Sequence, residues 1–450
     1  MVRIRKLALI GASALALVGV SAAAVSQTPL GARAAETYRM LELFGDVLTV
    51  VERTYVVETE PKMLIEAALD GMLNALDPHS NYLNAEDFQR LTERSTGAYS
   101  GVGLEITSEN GLVRVISPMD GGPAARAGVQ AGDIITAIDG ESASGLTVAQ
   151  VSEKLRGEAG ETVTVTFLRE GEEPRDLVIT REIIRVPSVR SNMEGEFGYI
   201  RIATFNENTG RELVEAVNSL RAENPAMRGV VLDLRNNGGG LLGAAIAVSD
   251  AFLEQGEIVS QRGRRPQDIA RYNATAGDIL EGLPLVVLSN YGSASASEIV
   301  AGALNDHERA TIVGLTSFGK GSVQTVMPLR NGEDGALSIT TARYYTPSGA
   351  SIQKIGIVPD LEVARSRREA ELVARPTFIY SEAAFTNALD ASIGAERRGP
   401  HTPAEQPAED YPEDQDYQLE RALDVLRVGG DLSRLERPPV QVAEAETPAE

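Results

Sequence analysis

Cysteine is missing from all 450 residues. Its absence excludes disulfides, a thiol nucleophile, a cysteine-ligated metal and a lipid anchor on an N-terminal cysteine. Histidine is nearly missing as well: His79, His307 and His401 are the whole supply, too few for a histidine-rich metal centre. A basic excess is also lacking. The net charge of −22 argues against a nucleic-acid partner, which needs a basic face against the phosphates. No internal repeat is present. What remains is a chain too long for one ordinary domain, with length enough for two or three, each burying its own core.

The N-terminus reads as an export leader over residues 1–33. Arg3, Arg5 and Lys6 precede an uncharged stretch, Leu7 to Val25, that closes on Ala22-Ala23-Ala24, a small-residue cleavage pattern. Ala32-Arg33-Ala34 is a second candidate. The stretch approaches the roughly 18 apolar residues that span a bilayer, but glycine, serine and alanine dilute it. A cleaved signal is the preferred reading and an anchor retained over residues 7–25 the other. Both place the bulk of the chain outside the cytoplasm, in the periplasm, and no other stretch is long and apolar enough to span.

Residues 34–94 carry apolar side chains at three- and four-residue spacing (Leu41, Phe44, Val47, Leu48, Val51; Leu64, Ala67, Ala68, Met72), the pattern of two amphipathic helices. They could pack on the body or on a second copy, as a homodimer. Leu76-Asp77-Pro78-His79-Ser80 ends the second helix, because proline bars its predecessor from helical geometry. His79 reads as a hydrogen-bonded structural residue of a loop. Residues 95–182 change to short β runs broken by glycine, with a helix over Val148 to Leu155, a small β-rich domain. From 183 to 365 strands and helices alternate, and Val230 to Leu234 reads as a buried parallel-type strand. Repeated βα units predict an α/β fold with a largely parallel sheet, whose reaction sites gather at the carboxyl ends of its strands. Residues 366–450 read as an acidic, partly disordered tail: a solvated linker from Arg397 to Asp416, a short helix over Gln418 to Leu426, and disorder from Pro438.

Two stretches carry chemistry. Ser293, Ser295 and Ser297, spaced by alanines, lie between the apolar run Leu283 to Leu288 and the amphipathic run Ile299 to Leu304, where a strand turns into a helix. Lys320 follows in the glycine-flanked loop Phe318-Gly319-Lys320-Gly321. A serine hydroxyl needs a base to attack at neutral pH. His307 lies at the far end of the predicted helix, about 15 Å long for ten residues, out of reach. A neutral lysine can serve, because burial away from charge lowers its pKa, and if Lys320 to Gln324 enters a strand, Gln324 shares its face.

Several blander readings compete. Ser295 and Glu298 fit S-x-x-E, a helix capping box. Gly314 to Lys320 approaches a phosphate-binding loop, but the required Ser/Thr is Gly321. Ser317 and Lys320 fit S-x-x-K, but glycines flanking the lysine oppose the helix that motif needs. Lys320 could also be an ordinary surface lysine.

The segments from Ser293 to Ala303 and from Thr316 to Gln324, together with Leu232 to Gly240 and Asp77 to Leu83, resemble the C-terminal processing peptidases, or tail-specific proteases. Tyr99 to Leu104 and Ser117 to Ile135 resemble a PDZ domain of the bacterial protease type. The resemblance covers about residues 36 to 365; the acidic tail matches poorly apart from its short helix. It implies a crotonase/Clp-protease-like α/β core with an inserted PDZ domain. It also implies Ser295 as nucleophile, Lys320 as general base, Gln324 as the residue orienting that lysine, and an oxyanion hole from the backbone of Ala296 with Gly239 or Gly240. Gly101, Val102, Gly103 and Leu104 would hold the carboxylate end of a peptide.

The expected protein is therefore an exported serine endopeptidase needing no metal or other cofactor, with substrates bearing accessible C-termini and an adaptor protein left open. A catalytically silent PDZ scaffold that only binds tails is the alternative.

Overall fold

The computed structural model describes residues 29–109, 111–378, 380–391, 399–412 and 414–436, with side chains from residue 33 onward. Most of the predicted leader, and the stretch from Pro438, lie outside them. Among the described residues no helix is long and apolar enough to cross a membrane.

The chain divides into two units, residues 1–75 and 76–450. The first holds the two predicted helices, α1 (Pro29–Thr54) and α2 (Pro61–Asn74). Pro61 opens α2, where its fixed φ suits a first turn and its missing N–H costs nothing. On α1, Tyr38, Leu41, Phe44 and Val47 are exposed.

The second unit is built on a six-stranded sheet whose strands lie side by side in chain order: β1 (Val189–Glu194), β2 (Phe197–Ile202), β3 (Val230–Asp233), β4 (Leu285–Ser289), β5 (Thr311–Gly314) and β6 (Leu361–Glu362). β1 and β2 pair antiparallel; every later pair is parallel. The side-chain period of two sorts each strand between two cores. Val230, Leu232, Leu285 and Val287 face the crossover helices α3 (Thr209–Glu223), α4 (Leu242–Asp250) and α5 (Ala296–Asp306). Val231, Val286, Leu288 and Val313 face the opposite side, where α6 (Tyr417–Arg427) supplies Tyr417, Ala422, Val425 and Leu426. Each such buried branched side chain contributes about 1.5–3 kcal/mol, which fixes the register of the strands that carry the site.

A second, antiparallel sheet was not expected from the sequence. Strand Ala336–Tyr345 is its hub, pairing with Asn81–Leu83, with Glu257–Gly263 and with Ser322–Pro328, while Ile269–Asn273 closes a hairpin on Glu257–Gly263. Lys320 thus leads into this sheet, whereas Ser295 follows the parallel one.

Residues 104–180 form a third sheet of six short strands with the predicted helix Val148–Leu155, opened by a Thr147–Gln150 capping box. Along Thr162–Leu168, Val163, Val165 and Phe167 alternate inward onto Val115, Val151 and Ile179. The chain enters and leaves this domain through one ribbon, Ala98–Gly101 paired with Glu182–Arg185.

The reading of residues 397–416 as solvated linker needs correction over its described part. Glu405 pairs with Val363 and meets Arg421 at 2.8 Å, both nearly buried, and His401 contacts Glu362. Composition counts the acidic charges but not the arginine that takes one of them into the core.

Candidate active site

The serine turn is organised by its outer hydroxyls. Ser293 Oγ donates to Leu234 O at 2.8 Å and accepts from Asn290 N–H at 3.0 Å; Ser297 Oγ donates to Asn237 O at 2.8 Å. Ala294 N–H donates to the same Asn237 carbonyl at 3.0 Å. Both outer serines are buried and act as ties, leaving the partly exposed Ser295 as the one hydroxyl of the three available for chemistry. Ser295 is held at φ 55°, ψ −111°. A non-glycine residue in that region stores on the order of 1–3 kcal/mol, which the ties around it must offset.

The glycine turn after β3 meets this serine directly. Gly239 has φ 101°, and a Cβ there would lie 2.9 Å from Ser295 Cβ and 2.9 Å from Ala296 N, so only glycine allows the approach. Asn237 shapes the turn: its Nδ2 donates to Ile202 O at 2.8 Å and its Oδ1 accepts the Gly239 N–H at 2.9 Å. Gly239 N–H is therefore committed. The Gly240 and Ala296 N–H groups find no acceptor among the described residues. Behind the turn, buried Arg235 donates to Asp233 and reaches Asp416 at 2.8 Å and Gln418 at 3.0 Å, fastening it to the segment that begins α6. Burial pushes the Asp233 carboxyl up, but the Arg235 guanidinium and N–H, with Tyr199 O–H on Asp233 at 2.7 Å, hold it below its ordinary range.

Lys320 is mostly buried, and its backbone neighbours are packed too tightly for side chains: a Cβ on Gly321 would come within 2.5 Å of Gln353 N. Strand geometry follows at once, from Ser322, which removes the helix that either a phosphate-binding loop or an S-x-x-K pair would need. Burial pushes the Lys320 amine below its ordinary value, against the carboxylates of Glu382, Glu298 and Asp77, which favour the ammonium. Among the described residues no hydrogen bond joins Lys320 Nζ to Ser295 Oγ, nor Gln324 to the lysine. Gln324 instead donates to Ser322 Oγ at 3.0 Å and Thr340 Oγ1 at 3.1 Å, beside a register shift at which Thr341 bulges from the facing strand.

Glu298 joins the two segments. The capping-box contact exists, since its Oε2 accepts the Ser295 N–H at 2.8 Å, but the same oxygen accepts the Lys320 N–H at 2.8 Å. Its Oε1 accepts from Gly319 N–H and Ser317 Oγ, each at 2.6 Å. The carboxyl is fully buried; burial pushes its pKa up, while all four donors favour the ionised form. Sequence spacing revealed the cap, but not that the same carboxylate anchors the lysine loop.

Two further groups surround the lysine. Thr340 Oγ1, which accepts from Gln324, donates to Asp77 Oδ1 at 3.0 Å, and Asp77 also accepts from Ser80 Oγ and from the His79 and Ser80 N–H groups. His79 Nε2 meets Glu382 Oε2 at 2.8 Å, so this histidine is a hydrogen-bonded residue, as expected. His307 caps the far end of α5 and bonds Glu257 O at 2.7 Å, away from the serine. Glu382 had no sequence signal at all.

In the β-rich domain, Gly101, Val102, Gly103 and Leu104 line a cavity of about 200 Å³ together with Tyr99, Ile106 and the helix residues Ser152 and Leu155. Arg156 lies at its end, stacked over the Tyr99 ring at 5.2 Å and paired with Glu93.

Residues 196–363 match peptidase family S41, and residues 114–169 match the PDZ domain. A carboxy-terminal-processing protease of Bartonella bacilliformis is 51% identical over 330 residues, 73% of this chain and 76% of that protein. A probable CtpA-like serine protease of Staphylococcus aureus is 36% identical over 326 residues, 72% of this chain and 64% of that protein. Among solved structures, a photosystem II D1 C-terminal processing protease shares 35% identity over 71% of this chain and 92% of its own, with a TM-score of 0.41. The chain belongs to the carboxy-terminal-processing protease family, with a peptidase family S41 core and a PDZ domain.

Proposed function

We propose that this protease is a serine endopeptidase working through a Ser295–Lys320 dyad. The observation that carries the reading is the Glu298 carboxylate, which holds the Ser295 and Lys320 N–H groups on one oxygen and so brings the two segments to one point. Neutral Lys320 takes the Ser295 proton as Oγ attacks the scissile carbonyl. The developing oxyanion is received by the free N–H groups of Ala296 and Gly240, and the lysine returns the proton to the leaving amine. Water, deprotonated by the same lysine, then attacks the ester carbonyl, and as the bond to Ser295 Oγ breaks the lysine returns that proton to Oγ, freeing the acid product and the enzyme. Burial keeps Lys320 neutral closer to ordinary pH than a solvated lysine would be. Hydrogen bonds of unliganded sites commonly tighten only with substrate, which accommodates the missing Oγ–Nζ bond.

Substrates are protein chains with accessible C-termini. The tail pairs with the strand edge at Gly101 to Leu104, its carboxylate on the N–H groups of that turn, and a bond upstream enters the active site. The leader over residues 1–33 directs the enzyme to the periplasm.

The test is cleavage of a tail-bearing protein followed on gels. Ser295→Ala and Lys320→Ala should each reduce turnover by about a thousandfold or more, with unchanged circular dichroism. Full activity in either folded variant removes the dyad, and unchanged turnover after deletion of residues 95–181 removes the role of the PDZ domain.

A further inference from the structure

We propose that Glu382 is a positioning residue for Lys320, carried by residues 380–388 against the lysine loop and holding that loop on both sides of the amine. The inference rests on the reading of Lys320 as the general base. Glu382 lies beyond residue 363, where the peptidase match ends, in a stretch whose sequence offered no motif.

Its side chain is fully buried. Oε1 accepts from Gln353 Nε2 at 2.9 Å, and Gln353 Oε1 in turn accepts the Gly321 N–H at 3.0 Å. On the other side of Lys320, the Glu382 N–H donates to Phe318 O at 3.0 Å. Phe318 is also gripped through its ring, by Tyr380 at 5.7 Å and Phe385 at 6.0 Å between centroids. Residues 318 and 321 are thus fixed by Glu382 or by a side chain that it fixes. The second carboxylate oxygen meets His79, whose N–H is held by Asp77.

A buried carboxylate is costly unless paired. The cations that face this one are His79, when protonated, and Lys320, while the other charges facing the lysine are Glu298 and Asp77. Lys320 Nζ has no hydrogen-bond acceptor among the described residues; burial pushes its amine toward the neutral form, and the charges around it, led by Glu382, oppose that push. Glu382 therefore both places the loop and holds the amine back from losing its proton too early.

The experiment titrates the lysine without turnover. In the Ser295→Ala chain, competitive labelling with acetic anhydride across pH, read on the Lys320 peptide by mass spectrometry, gives the pH at which the amine becomes reactive. Glu382→Gln should lower that midpoint by about half a unit or more while near-ultraviolet circular dichroism stays native. Glu382→Ser is read the same way should the amide not be tolerated. An unchanged or raised midpoint in a folded variant overturns the proposal and leaves Glu382 as packing alone. On the chain with Ser295 intact, the acidic limb of kcat/KM should move in the same direction. If Lys320→Ala kept full activity, the base reading would fail, while the labelling midpoint would still report on Glu382.

Discussion

The two halves of the proposed active site are held by different means. The serine half is assembled largely from the two neighbouring turns that follow β3 and β4: Ser293, Ser297 and Ala294 bond backbone carbonyls of Leu234 and Asn237, and Gly239 fits against Ser295. The lysine half is assembled from side chains scattered between Asp77 and Glu382, arriving from a second sheet and from a covering segment. A backbone frame of adjacent parallel strands is rigid and local. A frame of side chains converging from distant parts of the chain is the more readily loosened, and Glu298 is where the two meet.

Removing that junction should have the largest effect. In Glu298→Gln the amide nitrogen faces N–H donors whichever way it turns, leaving buried donors unpaired, so we expect a loss of about 3 kcal/mol in urea unfolding together with loss of cleavage. If stability fell but cleavage survived, the two halves would be joined by something else. The ties on the serine side should cost less: Ser293→Ala removes two buried hydrogen bonds and Ser297→Ala one, at about 1 kcal/mol each, and both should reduce kcat more than they raise KM. A pure KM effect would show that these hydroxyls do not hold the nucleophile.

The smallest effect concerns the lysine and its sign is fixed. An unfolded lysine keeps its proton up to about pH 10.5, whereas burial releases it earlier in the folded chain. Between those two pH values the unfolded chain binds more protons, so stability rises with pH. Lys320→Met should therefore be more stable than the parent near neutral pH, with the advantage shrinking toward pH 10 in thermal melts. An advantage that grew with pH would mean that the amine is stabilised as the ammonium.

The same division governs what was legible from the sequence. The serine half was readable because its parts are local signals: apolar runs at Val230–Leu234 and Leu283–Leu288, glycines after the first, spaced serines after the second. The helix Val148–Leu155 was readable for the same reason, from period and cap. The lysine half was not, because the pairing of Ala336–Tyr345 with both Asn81–Leu83 and Ser322–Pro328 joins segments far apart in the chain, and alternation within a strand does not name its neighbour. Gln324 was expected on the lysine and is found on Thr340, where a bulge in the facing strand offers a hydroxyl. Glu298 was half legible, as a cap. Glu405 reads as solvated acid because composition does not reveal Arg421, and Glu382 gives no sign because nothing near it in sequence names His79 or Gln353.

The placement of α6 sets an order of events. The β3–β5 face opposite the crossover helices has no apolar cover until Tyr417, Val425 and Leu426 arrive, and Arg235, beside the glycine turn, lacks two of its partners until Asp416 and Gln418 do. A chain emerging from synthesis N-terminus first can make every strand of the sheet before it can close the second core. The support behind the glycine turn is thus completed only when the last helix is delivered, so the frame of the sheet is closed by the part of the chain that is made last.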